Sequence, residues 1–161
     1  MPEIIGEIDY ALVAFLEDGA WQLQDIASPA YDTVESLSHA LRQVSGADGA
    51  VGMVAVDEDF FVLVRVAGST TRVLLSDVTA ADEWELARSV VDFLGLALPE
   101  DDDVEVPAGD LDLLGDLGLH AIDMGALLDD VDLYPDDVLS DIARRLGFGE
   151  LFDDAVGLMS A

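Results

Sequence analysis

The chain runs Tyr10-Ala-Leu-Val-Ala-Phe15, pauses at Glu17-Asp18-Gly19 and resumes as Trp21-Gln-Leu-Gln-Asp-Ile26, with apolar and polar positions alternating. Period-two alternation around a glycine turn predicts a β-hairpin. The spacing then changes. Asp32 with Glu35 three residues on has the form of a helix start, and Val34, Leu37, Leu41 and Val44 recur at helical intervals as far as Gly46. That pattern predicts one amphipathic helix. Three apolar runs follow, Val51 to Val56, Phe60 to Val66 and Arg72 to Ser76, divided by Asp57-Glu58-Asp59 and by Gly68-Ser69. Their β-branched content predicts a three-strand meander.

If Gly68-Ser69 is a two-residue loop, Arg65 lies opposite Arg72 and Val64 opposite Val73. One face then carries Phe60, Val62, Val64, Val66, Val73 and Leu75, and the other Phe61, Leu63, Arg65, Arg72 and Leu74. The first face is core. The second is apolar enough to need a cover, and its two like charges destabilise each other unless a carboxylate or other anion sits between them. Arg65, Arg72, Phe61, Leu63 and Leu74 are therefore the candidate interaction residues. The cover is the C-terminal region, a second copy of the chain or a partner. Thr79 followed by Asp82 forms a second helix start, with Trp84, Ala87, Val90, Val91 and Leu94 as the buried stripe and Gly95 as the stop.

The order β-β-α-β-β-β-α predicts an α+β fold, a five-stranded antiparallel sheet with its helices on one face. The segment Pro99-Glu-Asp-Asp-Asp-Val-Glu-Val-Pro107 holds five acids in nine residues and reads as a linker. It separates a domain at 1–98 from a small all-helical region at 108–161. In that region Leu111 to Leu117, Met124 to Leu128, Val138 to Leu146 and Glu150 to Val156 all carry helical spacing, with Pro135 in a first turn and Gly147 at a helix end. Helices this short need to pack on the domain or on a partner.

Composition narrows the function classes. Among 161 residues there are 35 Asp and Glu against 6 Lys and Arg, giving a net charge of −29, and there is no cysteine. All six bases are arginine. The charge is uneven: residues 1–98 hold 17 acids and 4 arginines, and residues 99–161 hold 18 and 2. Direct nucleic-acid binding needs clustered cations to release counterions, and an anionic membrane surface needs the same, so both are excluded as ligands. No apolar run reaches the length of a membrane span, and the acidic start is unlike a signal peptide, so the expected location is the cytoplasm. Missing cysteines exclude disulfide scaffolds and zinc ribbons.

Templates for chemistry fail one by one. A calcium loop begun at Asp110 finds Asp112 and Gly115 in place, but has Leu114 and Ala121 where oxygen ligands belong. The two histidines do not form a catalytic set: His39 falls off the apolar stripe of its helix, and His120 sits at a helix boundary. There is no G-x-S-x-G elbow, no phosphate-binding glycine loop and no dinucleotide fingerprint. Neither His39 nor His120 begins the H-x-E of a zinc deaminase, whose cysteines are also absent. No metal or cofactor is expected, and the reading is non-enzymatic.

The segments Phe60-Phe-Val-Leu-Val-Arg65, Arg72-Val-Leu-Leu-Ser-Asp-Val-Thr-Ala-Ala81 with Trp84, Leu86 and Ala87, Pro107-Ala-Gly-Asp-Leu-Asp-Leu-Leu114, Leu127-Leu-Asp-Asp130, Leu133-Tyr-Pro-Asp136 and Ile142-Ala-Arg-Arg-Leu-Gly-Phe-Gly149 occur here in one order. In these, and in the hairpin from Val13 to Trp21, the chain resembles the actinobacterial tRNA adenosine deaminase-associated proteins. The resemblance implies association with that deaminase. It brings no catalytic residues. The expected function is that of a non-catalytic interaction or regulatory protein, with the deaminase or another basic protein as partner. Two other readings stand beside it: an acidic nucleic-acid mimic that occupies a basic groove, and a carboxylate-based enzyme, which would need a deep pocket with acids of perturbed pKa.

Overall fold

In the computed structural model the described residues are 8–26, 33–44, 49–56, 60–68, 70–82, 84–95, 107–130 and 134–156. The acidic turn at 57–59 and the linker residues 99–106 lie outside them. Strands β1 (Ile8–Glu17) and β2 (Ala20–Asp25) form the N-terminal hairpin. At its turn Asp18 and Gly19 have φ of 55° and 83°. A two-residue loop with both central residues at positive φ matches the right-handed twist of its strands, and Asp-Gly suits it because short polar side chains and glycine tolerate that region.

Helix α1 (Val34–Val44) buries Val34, Leu37 and Leu41. Its first turn is held by Thr33, whose hydroxyl accepts from the Ser36 N–H at 3.1 Å. The start expected at Asp32 lies outside the described residues. Strands β3 (Ala50–Val56), β4 (Phe60–Ala67) and β5 (Thr70–Leu75) follow as the meander. A 3-10 turn at Val78–Asp82 then leads into α2 (Glu85–Leu94), which Gly95 closes in the left-handed conformation. The helix start expected at Thr79 and Asp82 is thus a 3-10 turn, which passes into α2 through bonds from the Trp84 N–H to the Ala80 carbonyl and from the Arg88 N–H to the Trp84 carbonyl.

Two expectations are corrected beyond Pro107. The sheet has six strands, not five, in the order β2-β1-β3-β4-β5-β6, because β6 (Ala108–Gly109) adds antiparallel to β5. Leu111 to Leu117 is not an α-helix. It is a series of turns ending in a 3-10 turn at Gly115–Leu117, with i to i+3 bonds from Gly115 N–H to Asp112 and from Leu117 N–H to Leu114. Helices α3 (Ala121–Asp129), α4 (Pro135–Leu146) and α5 (Gly149–Val156) complete the chain. Pro135 opens α4, and Gly147 ends it with its N–H on the Ala143 carbonyl.

The helices lie on both faces of the sheet, which corrects the one-face arrangement. On one face α1 and α2 bury Val13, Phe15, Val54, Phe60, Val62, Val64 and Val73. On the other, α3, α4, α5 and the turns before them bury Leu12, Met53, Phe61, Leu63 and Leu74 under Leu113, Met124, Leu139, Ile142, Phe148 and Phe152. A sheet apolar on both faces needs two layers, and β3 accordingly is buried at every position. The second face joins residues from before and after the acidic stretch in one core.

Candidate functional site

In the β4–β5 pair Ala67 stands opposite Thr70, and Arg65 stands opposite Arg72 as the alternation predicts. Both arginines lie on the face that the C-terminal layer covers. Arg65 is only 4% exposed. A guanidinium buried so far needs a carboxylate and further acceptors. Asp116, in the 3-10 turn, supplies a two-pronged contact: Arg65 Nη1 donates to Oδ1 at 2.7 Å and Nη2 donates to Oδ2 at 3.2 Å. The Leu113 carbonyl accepts from Nη1 at 3.4 Å. Arg72 is half exposed and pairs with Asp110, Nε to Oδ2, at 3.6 Å. Each like charge thus has its own carboxylate, which removes the conflict across the strand pair.

These aspartates also shape the backbone that carries them. Asp110 accepts from the Asp112 N–H at 2.9 Å, a local turn bond, and Asp112 reaches nine residues on to accept from the Ala121 N–H at 3.2 Å in the first turn of α3. Asp and Asn side chains bond neighbouring N–H groups in this way, which favours turns over continuous helix. The result is a cleft of about 380 Å³ lined by Arg65, Ala67, Thr70, Arg72, Asp112, Leu113 and Asp116.

The Asp116 carboxyl is held below its ordinary value of 3.8, chiefly by the hydrogen bond from Arg65. Partial burial pushes the other way, and the positive charges of Arg65 and Arg72 add to the lowering. The folded protein therefore binds this proton less readily than the unfolded chain. The stabilisation is fully present above the ordinary carboxylate value and is lost as pH falls from about 4 through the lower folded value. Asp116→Asn should cost about 1 kcal/mol at neutral pH. The figure is modest because the Asp116 side chain is 65% exposed and water screens the pair. Urea titrations of both proteins should show the difference shrinking below about pH 4; a difference that stays constant would remove the ion pair as its cause.

Of the other candidate residues, Phe61, Leu63 and Leu74 are buried beneath the C-terminal layer. The structure therefore brings all five candidates onto one face and leaves Arg72 as the one with substantial exposure. His39 is exposed on α1, with Gln43 at 3.2 Å, and His120 is exposed immediately before α3. Among the described residues, no group of three or more His, Asp or Glu is placed to hold a metal ion, and no helix is long and apolar enough to cross a membrane.

Two features were missed. Trp21 donates its indole N–H to the Leu146 carbonyl at 3.1 Å and packs on Phe148 with ring centroids 4.7 Å apart. No local pattern announces a contact across 125 positions. The second is a cleft of about 760 Å³ between α1 and α2, where Trp84, Arg88 and Phe93 meet Glu35 and Asp92. Its signal was available, because Phe93 falls off the apolar stripe of α2 and is 47% exposed.

A family model described as "Rv3753c-like tRNA adenosine deaminase-associated protein" matches residues 9–149. The chain belongs to this family. The Rv3753c-like match takes in both layers, from β1 to the start of α5. Among curated relatives, Protein Rv3753c of Mycobacterium tuberculosis strain ATCC 25618 / H37Rv is 38% identical over 144 residues, covering 88% of this chain and 83% of the relative. No solved structure matches. The Rv3753c-like family is described as deaminase-associated and not as the deaminase.

Proposed function

We propose that the chain is a non-catalytic interaction or regulatory protein and that its partner is the tRNA adenosine deaminase. The observation that carries this reading is how the arginines are used. Arg65 and Arg72 pair with Asp116 and Asp110, Arg144 and Arg145 with Asp141, Arg42 donates to Thr71, and Arg88 donates to the Ala81 carbonyl. All six bases have contacts inside the chain. Even complete one-to-one pairing would leave the chain with a net charge of −29. An enzyme that acts on tRNA presents a positive surface to its substrate, and a surface of opposite sign steers association and favours the matched partner. The family description, deaminase-associated, supports the choice of the tRNA adenosine deaminase as that partner.

Calorimetry of the full chain with the tRNA adenosine deaminase of the same organism should give binding at micromolar concentrations. Affinity should fall roughly tenfold as salt is raised from about 0.05 to 0.5 M, because the attraction is between exposed charges. Absence of heat and of copurification at micromolar protein and moderate salt would sink the proposal.

A further inference from the structure

The two ends of the sheet are built differently. At one end β6 is two residues long, directly follows Pro107, and has the Arg72–Asp110 pair beside it. Short strands, prolines and charge pairs are the usual means of blunting an edge. At the other end β2 runs six residues without proline or basic side chain, and among the described residues β1 is the one strand it pairs with.

The turn fixes which backbone groups of β2 point outward. Glu17 and Ala20 flank the two-residue loop and form a bonded pair, so Ala20, Gln22 and Gln24 turn their N–H and C=O towards β1. The Ile26 N–H on the Ala11 carbonyl at 2.8 Å continues the same phase. Trp21, Leu23 and Asp25 therefore direct their N–H and C=O groups to the open edge. The strand is also anchored through a side chain. Trp21 is tied to Leu146 and Phe148 on the covered face, so a binding segment would not have to order it first.

The charge around this edge selects the occupant. Glu17, Asp18 and Asp25 are exposed along the hairpin, and no Lys, Arg or His occurs before His39. A second copy would bring the same three acids to the same edge, on molecules that each carry −29. We infer that the outer edge of β2 is a docking strand that takes one extended, Lys- or Arg-bearing segment of a basic partner as an added strand. Main-chain bonds to Trp21, Leu23 and Asp25 hold the segment, and its cations meet Glu17, Asp18 and Asp25. This deepens the proposal above and rests on its choice of partner.

The test is amide hydrogen exchange on the isotopically labelled full chain, alone and with the tRNA adenosine deaminase, together with binding by Leu23→Pro. Proline at this position removes an outward N–H and no β1–β2 bond, so the hairpin keeps its ladder while the docking edge is broken. Support is slower exchange at Trp21, Leu23 and Asp25 in the complex, with binding by Leu23→Pro at least about tenfold weaker. If Leu23→Pro does not fold, exchange in the unaltered protein decides. A complex that forms with protection elsewhere overturns the docking strand while leaving the partner standing. No complex at all removes both. Protection of these three amides without the deaminase, accompanied by dimer formation in sedimentation, overturns the choice of a basic segment.

Discussion

Phe152→Ala is expected to lower unfolding stability by about 3–5 kcal/mol, near the top of the range for a single core truncation. Phe152 has no exposed surface. It sits on α5, in the cluster that covers the second sheet face, with its ring edge-on to Tyr10 at a centroid separation of 5.7 Å. Truncation removes the transfer free energy of a buried aromatic ring and opens a cavity between α5 and the sheet. The short α5 has too few turns to persist without this contact. Urea unfolding should show a lower midpoint, and amide exchange should rise first in α5 and then in α4. A loss under about 1 kcal/mol would show that the layer is held by something other than this packing.

Gly109→Ala should be comparably severe, for a different reason. Gly109 has φ of +121°, and a Cβ there would lie 2.3 Å from the Val73 carbonyl oxygen. The conformation alone costs an L side chain about 1–3 kcal/mol, and a clash with main chain cannot be relieved by turning a rotamer. We expect a total loss of about 3 kcal/mol or more. The variant should also separate β6 from β5, pull Asp110 from Arg72 and speed exchange at the Asp110 N–H, which bonds the Val73 carbonyl at 2.9 Å. A variant as stable as the parent would mean that β6 is not part of the sheet in solution.

The β4–β5 register was legible because a two-residue loop and period-two alternation leave one pairing in which the apolar residues share a face. Arg65 opposite Arg72, and the division of Phe61, Leu63 and Leu74 from Phe60, Val62 and Val64, follow from that rule and are found in the structure. Which of many aspartates would answer the arginines was not legible. Asp116 and Asp110 are chosen by where β6 docks, and β6 is two residues with no period to detect. The same holds for Leu111 to Leu117. Leucines three and four apart fit an α-helix and a set of 3-10 turns equally well, and the aspartate-to-backbone bonds decide between them. That the second face needs a cover was legible from Phe61, Leu63 and Leu74, but the choice of the C-terminal helices over a second copy or a partner was not, because short helices carry little information about which surface they join.

The contact between Trp21 and Phe148 has a use beyond packing. The chain has two tryptophans. Trp21 lies against the C-terminal layer, and Trp84 lies against Phe60 on the opposite face, with ring centroids 5.9 Å apart. Each side of the sheet thus carries its own intrinsic fluorophore. In a Trp84→Phe background the remaining emission follows only the loss of α4 and α5, and in a Trp21→Phe background it follows only the face of α1 and α2. Coincident traces would show that the molecule melts as a single cooperative unit, and separated traces would show that its C-terminal layer can lift from the sheet before the rest gives way.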